Sequence, residues 1–147
     1  MKITADTDLF ISHFAGDEHA DYADKILEEA ERGKLKIYTS SMMIDDLITA
    51  YRSQGYTVKQ VVSILQDLQT LTFEILPLPV HVAIEAMKIY SEHKGSRKLH
   101  YFDAFIVATA KLQVKAPLVT TDRYILENQE KLQVKAVKIE DYAKTLR

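Results

Sequence analysis

The sequence contains no cysteine, which excludes a disulfide framework, a thiol nucleophile, an iron–sulfur cluster and a cysteine-ligated zinc site. Glycine and proline are scarce, at four and three residues, and they do not cluster, so no linker or low-complexity segment is predicted. No apolar run reaches the roughly 18 residues of a membrane span, and Asp6 interrupts the N-terminus before the apolar core of a signal peptide could form. We therefore expect an ordered, cytoplasmic protein with no membrane partner.

The length and composition predict one domain. A chain of 147 residues with 47% hydrophobic content can build one substantial core, so we assign residues 1–147 to a single domain. Segments with strand and helix periodicity alternate along the chain, and no hairpin turn dipeptide separates them. This alternation predicts an α/β fold, with a central parallel β-sheet flanked by α-helices. The predicted strands are residues 2–5, 34–39, 73–77, 117–120 and 134–139.

Acidic residues stand at the ends of the predicted hydrophobic segments. Asp6 and Asp8 follow the first strand, Asp122 follows the fourth, and Asp103 lies in the apolar segment 102–110, which is expected to form a buried central helix. A buried, unpaired carboxylate is costly and requires compensation. Ligands of open α/β sheets collect outside the carboxyl ends of the strands, and hard divalent cations prefer oxygen ligands. The pattern therefore favours a divalent-metal site.

Helix capping is the alternative explanation for each acid taken alone, because Asp is favoured at N-caps and in first turns. Asp45 and Asp46 both lie at the edge of an apolar helical stripe, and periodicity does not choose between them. Independent capping would have to place acids at four separate junctions of the same sheet edge. That conjunction favours the metal-site interpretation.

Taken in order, the acidic motifs resemble those of PIN-domain ribonucleases, especially the VapC toxins of VapBC toxin–antitoxin modules. The resemblance covers nearly the whole chain, and the motifs that carry it are Ala5-Asp6-Thr7-Asp8-Leu9, the serine-led segment Ser40–Leu47, the Asp-Ala helix Tyr101–Ala110 and Leu118-Val119-Thr120-Thr121-Asp122. The family usually has Glu where Asp46 stands. This shorter side chain leaves open whether Asp46 acts through water or Asp45 contributes instead.

The resemblance implies a set of site residues. The catalytic acids would be Asp6, Asp46, Asp103 and Asp122, with Asp6, Asp103 and Asp122 as metal ligands and with Asp8 and Asp46 as further candidate ligands. Asp8 and Thr120 would support this set. RNA contacts are expected from basic residues beside the acids, namely Arg97, Lys98 and Arg123, although Arg97 and Lys98 also fit the description of ordinary solvated loop charges.

The implied activity is that of an endoribonuclease that depends on Mg²⁺ or Mn²⁺ and hydrolyses phosphodiester bonds, as the toxin of a type II toxin–antitoxin system. A cognate antitoxin and a second copy of the chain, forming a homodimer, are the implied protein partners. Apolar residues on the predicted second and third helices could serve such contacts or simply be core: Met42, Met43, Val58 and Val61.

Two other functions fit parts of the sequence. Asp6-Thr7-Asp8 also resembles the Asp-x-Asp motif of haloacid-dehalogenase-type phosphatases, but that family needs a late pair of acids and gives Asp103 no role. A non-catalytic PIN-like module that binds protein or RNA is the other alternative, and the shortened second acid favours it. The net charge of −2 argues weakly against a dedicated electrostatic nucleic-acid binder.

Overall fold

The computed structural model describes residues 1–93 and 99–146, so Arg97, Lys98 and most of the loop predicted after residue 91 lie outside the described residues. One five-stranded sheet has the order β3-β2-β1-β4-β5, and every neighbouring pair is parallel. The α/β fold with a central parallel sheet is therefore confirmed, and all five predicted strands are present. Their bounds are β1 Lys2–Ala5, β2 Lys36–Ser40, β3 Glu74–Leu76, β4 Leu118–Thr120 and β5 Ala136–Lys138.

Helices flank the sheet. In the described part of the chain they are α1 Thr7–Ala15, α2 Ala20–Glu31, α3 Met42–Ser53, α4 Val58–Leu68, α5 Val80–His93, α6 Tyr101–Thr109, α7 Arg123–Glu127, α8 Gln129–Leu132 and α9 Ile139–Thr145. A π-helical turn, Ala110–Val114, continues α6. The sequence did not predict α8 or α9, because α8 has only four residues and no side chain caps the start of α9. Across residues 1–93 and 99–146, no helix is long and apolar enough to cross a membrane.

Two apolar cores lie on opposite faces of the sheet. Adjacent residues of β4 separate into them, since Val119 packs in the core that contains α1, α2 and α9, and Leu118 packs in the core that contains α5 and α6. Helix α6 is buried at six of its nine positions, which confirms the predicted central helix. Of the apolar residues that could be core or contact surface, Met43 and Val61 are buried, whereas the side chain of Val58 is 63% exposed and is not core.

The strand order reverses at β1, which pairs with β2 on one side and with β4 on the other. The carboxyl ends of β1 and β4 therefore lie next to each other, and the backbone N–H of Asp6 donates to the carbonyl oxygen of Val119 at 3.1 Å. In open α/β sheets, such a switch point forms the crevice in which ligands bind. The acidic residues that follow these two strands meet at this place.

A capping box between Thr57 and Gln60 fixes the start of α4. The Thr57 hydroxyl accepts from the Gln60 N–H at 3.1 Å, and the Gln60 side chain accepts from the Thr57 N–H at 2.8 Å.

Thr57→Ala is expected to lower the free energy of unfolding by about 1 kcal/mol, as measured by urea denaturation. Thr57→Ser keeps the hydroxyl and should stay close to wild type. Equal losses in both variants would contradict the capping role.

Candidate active site

Five carboxylates converge at the carboxyl edge of the sheet, and four different parts of the fold supply them. Asp6 is the N-cap of α1, and Asp8 lies in the first turn of that helix. Asp46 comes from α3, Asp103 from the first turn of α6, and Asp122 is the N-cap of α7. Helices α1, α3 and α7 each follow a strand, which brings their acids to this edge of the sheet, whereas α6 follows another helix, α5.

Threonine hydroxyls hold Asp6 and Asp8. Asp6 accepts from the Thr7 N–H at 2.8 Å and from the Thr120 hydroxyl at 2.7 Å. Asp8 accepts from the backbone N–H of Thr121 at 2.6 Å and from the hydroxyl of the same residue. The Thr120 oxygen in turn accepts from the Asp122 N–H at 2.9 Å. Thr120 therefore lies at the centre of the acidic residues, where the sequence placed a supporting hydroxyl.

One carboxylate oxygen of Asp8 is buried and accepts no hydrogen bond from the described residues. The Oδ2 atom of Asp8 receives the hydrogen bonds from Thr121, whereas Oδ1 is buried and has no hydrogen-bond partner among the described residues. A buried carboxylate oxygen without a donor is costly. This atom is the clearest sign that the acidic residues are arranged to contact something outside the protein chain.

The structure brings Asp46, and not Asp45, to the other acids. Asp45 is exposed, whereas Asp46 is partly buried and accepts from the Thr7 hydroxyl at 2.6 Å. Burial raises the pKa of Asp46, and the hydrogen bond from Thr7 and the positive charge of nearby His100 oppose that rise. The sequence analysis missed the contribution of Thr7, because this contact joins residues 39 positions apart. The position of Thr7 between two acids was the only available signal.

Capping and site formation occur together at Asp103 and Asp122. The Asp103 carboxylate accepts from the His100 N–H at 3.3 Å, and the Asp122 carboxylate accepts from the Ile125 N–H at 2.9 Å. Each contact is of the kind that the capping alternative predicted. In both residues the named bond uses one carboxylate oxygen, so capping does not exclude a role for the other oxygen.

The acids repel one another. Burial raises the pKa of Asp6 well above its usual range, and the charges of Asp8 and Asp103 raise it further. Burial, followed by the charges of Asp122 and Asp46, raises the pKa of Asp103 to about 8. Within residues 1–93 and 99–146, none of these five acids forms an ion pair with Lys, Arg or His. Burial and repulsion therefore oppose full ionisation at neutral pH, and a positive charge from outside the chain would relieve this opposition.

The donor set fits a hard divalent cation in its chemistry. All the side chains that converge are carboxylates and hydroxyls, which are the oxygen ligands that Mg²⁺ and Mn²⁺ prefer. The unpartnered Oδ1 atom of Asp8 and the raised pKa of Asp103 both agree with a cation as the missing compensation. As placed in the described ranges, however, no three His, Asp or Glu side chains stand close enough together to hold a metal ion. The hydroxyls and N–H groups named above engage most of these oxygens instead.

The predicted RNA-binding residue Arg123 follows Asp122 directly and begins α7. Its side chain is exposed and forms an ion pair with Glu127 at 2.8 Å. A hydrogen bond from the guanidinium to Glu127 raises the pKa of Arg123. Contact between Arg123 and RNA stays a prediction.

Comparison with known proteins agrees with this architecture. The family model of the PIN domain matches residues 3–131, so the chain belongs to the PIN domain family. No curated protein sequence matches the chain.

Solved structures with the same fold include toxins and toxin–antitoxin complexes. VapBC2 from Rickettsia felis, bound to a fragment of its promoter DNA, has a TM-score of 0.67 at 18% identity, over 94% of this chain and 98% of that one. VapBC-1 from nontypeable Haemophilus influenzae has a TM-score of 0.64 at 16% identity, over 95% and 98% of the two chains. VapC20 from Mycobacterium tuberculosis, a toxin that cleaves the sarcin–ricin loop, has a TM-score of 0.61 at 13% identity, over 79% and 86%. These likenesses show the shared fold.

The raised pKa values predict how the stability of the metal-free protein depends on pH. The folded state binds protons more tightly than the unfolded chain does, so the stabilisation is complete below pH ~4 and is lost as the pH rises towards the Asp103 pKa of about 8. In EDTA, the free energy of unfolding of wild type should therefore fall between pH 5.5 and pH 8.5.

Asp103→Asn keeps a side-chain oxygen for the His100 N–H and removes one charge. At pH 8.5 in EDTA this variant should be more stable than wild type by at least about 1 kcal/mol, with a smaller difference at pH 5.5. Urea denaturation at both pH values measures this. Identical pH dependence in the two proteins would show that Asp103 is not held among repelling charges.

Proposed function

We propose that this PIN domain is a metal-dependent endoribonuclease that hydrolyses phosphodiester bonds in RNA and acts as the toxin of a type II toxin–antitoxin system. The observation that carries the proposal is the convergence of Asp6, Asp8, Asp46, Asp103 and Asp122 at the switch point of the sheet, with no Lys, Arg or His ion pair among the described residues. Mutually repelling carboxylates would bind a cation, and the bound cation would in turn bind the phosphate at which hydrolysis occurs.

The residues divide into ligands and residues that position them. Asp6, Asp103 and Asp122 would hold Mg²⁺ or Mn²⁺, with Asp8 and Asp46 as further ligands. When bound, such a cation activates water and stabilises the charge that develops on the phosphate.

The chain's own contribution is orientation. Thr120 donates to Asp6 and accepts from the Asp122 N–H, which ties two of the proposed ligands to one hydroxyl. Thr7 fixes Asp46 from its position between Asp6 and Asp8. Asp6 caps the start of α1 and Asp103 lies in the first turn of α6, so regular secondary structure orients both carboxylates.

RNA is proposed as the substrate because the chain shares its fold with VapC20 from Mycobacterium tuberculosis, a toxin that cleaves the sarcin–ricin loop. Arg123 would contribute to the backbone contacts, since it begins the helix that Asp122 caps. A net charge of −2 suits such an enzyme if the acids are concentrated where a cation neutralises them.

Protein partners are proposed from the same relatives and from exposed apolar surface. Structural neighbours include VapBC2 from Rickettsia felis and VapBC-1 from Haemophilus influenzae. On this chain, α4 and α5 both carry exposed apolar side chains: Val58, Val62, Val80, Ile84 and Met87. These surfaces are the candidates for contact with an antitoxin and for a homodimer.

A non-catalytic binding module is the second candidate function. It is favoured by the finding that no three His, Asp or Glu side chains in the described ranges already stand at the spacing of a metal site. The phosphatase alternative has no comparable support, since the chain belongs to the PIN domain family and Asp103 would have no role in that chemistry.

Cleavage of RNA separates these functions. Wild type is expected to cut a panel of single-stranded and structured RNAs in Mg²⁺ or Mn²⁺ and to lose this activity in EDTA. Asp6→Asn and Asp103→Asn should each lower the rate by at least about 100-fold, because each removes a charge that would hold the cation.

The matched control is Asp45→Asn, which removes a neighbouring but exposed carboxylate and should cut at the wild-type rate, whereas Asp46→Asn should be slower. Folding of each variant is verified by its thermal unfolding. Cation binding is followed separately by calorimetry. Metal-independent cutting, or full activity of folded Asp103→Asn, would overturn the metal-dependent mechanism; metal-loaded wild type that binds RNA without cutting it would favour the binding module.

Toxicity can be tested without knowing the RNA target. Induced expression of wild type in a bacterial host should arrest growth, and Asp6→Asn/Asp103→Asn should restore it at equal protein levels, because the toxic effect would require the acidic residues. Growth rates and immunoblots measure both quantities. Arrest by wild type and double variant alike would show that the effect is not nucleolytic.

A further inference from the structure

We propose that the His100 and Phe102 rings form a stacking platform for an unpaired base of single-stranded RNA, next to the acids that act on its backbone. The inference rests on the proposed ribonuclease function and assigns to it two further residues, His100 and Phe102, which would contact a base beside the cut.

The two rings lie at the rim of the acidic residues. His100 is the N-cap of α6, and its backbone N–H donates to the Asp103 carboxylate at 3.3 Å. Its imidazole also lies close enough to Asp46 to act on that carboxylate electrostatically. The platform therefore adjoins two of the five acids, on the side of α3 and α6.

The ring geometry suits a stacked base. The His100 and Phe102 rings are inclined by only 17°, with centroids 5.7 Å apart, which is an offset stack. Phe102 covers one face of the imidazole, and the His100 residue is exposed. Tyr101 supports the pair from the side, since it meets Phe102 and Phe105 edge-on at 5.7 Å and 5.1 Å. The exposed His100 ring, backed by the partly buried Phe102 ring, would lose little freedom when a further ring stacks on it.

A nucleobase is the occupant that these features favour. The rings present a flat, largely apolar face, which matches the face of an uncharged base and offers no charged partner to a phosphate. Aromatic side chains bind bases of any identity in this way, and they need a base that is not already stacked and paired in a duplex. The platform would thus select single-stranded or looped RNA over paired RNA, and it would not select a sequence.

The test removes the aromatic ring from the protein and the nucleobase from the RNA, each in a separate molecule. Kinetic constants are measured for the full chain on a short single-stranded RNA and on versions in which one nucleotide beside the cut is abasic. Phe102→Leu and His100→Asn remove a ring each, and Asn keeps a side chain that caps α6 well. Both variants are expected to raise KM about tenfold with a smaller effect on kcat, since a base stacked on an aromatic side chain contributes on that order.

The abasic substitution should raise KM to a similar extent in wild type and have little further effect in Phe102→Leu. Phe102→Tyr keeps the ring and should rescue the low KM. Tyr56→Leu, which removes a partly buried ring from another aromatic pair, should match wild type. Thermal unfolding confirms that each variant is folded. An unchanged KM in both ring variants, or losses from ring and base that simply multiply, would overturn the platform.

The same comparison of ring variants on intact and abasic RNA, measured as binding of labelled RNA by fluorescence anisotropy, separates this inference from the proposed function. RNA cleavage with the same KM in wild type and in both ring variants overturns the platform but supports the proposed nuclease function. Binding that depends on both ring and base, without cutting, supports the platform and overturns the nuclease. A wild-type protein that neither cuts nor binds any RNA overturns both.

Discussion

The constraint on which this structure depends is negative charge at the carboxyl edge of the sheet. The strand order puts the ends of β1 and β4 side by side, and α3 and α6 bring further acids to the same place. Burial and mutual repulsion then hold the pKa of Asp103 at about 8. Such an arrangement opposes folding at neutral pH, so its presence in a small domain indicates a function that needs the charge.

The kind of compensation that the chain supplies is informative. Thr7, Thr120 and Thr121 donate hydrogen bonds to the acids, whereas no Lys, Arg or His in residues 1–93 and 99–146 forms an ion pair with them. A hydroxyl orients a carboxylate and leaves its charge in place. A lysine or arginine at the same position would neutralise the charge permanently and compete with a cation. The threonines therefore position the acids while their affinity for a positive ligand is preserved.

Much of the fold and most of the acidic set could be predicted from sequence, because both follow from local patterns. The strands have apolar runs of the right length, and the segment that forms α6 is apolar nearly all round. What the sequence could not supply was long-range: the choice of Asp46 over Asp45 depends on where α3 packs, and the bond from Thr7 to Asp46 joins distant segments. The exposure of Val58 could not be decided from sequence for the same reason, since periodicity identifies an apolar stripe but not what covers it.

Capping and a ligand site seemed to be competing explanations for the acids, and the fold shows why one residue can serve both. In a parallel sheet joined by helices, helices start at the edge where strands end, so an N-cap at such a start also faces the ligand crevice. Asp6 and Asp122 each hold a helix start with one oxygen and face the shared edge. An amide in place of either carboxylate keeps an acceptor for the cap and removes the charge; at Asp6 it also places an NH₂ donor opposite the Thr120 hydroxyl, which must then accept instead of donate. The fold can therefore tolerate the loss of its proposed chemistry, which makes Asp→Asn changes the appropriate means of separating stability from activity in this domain.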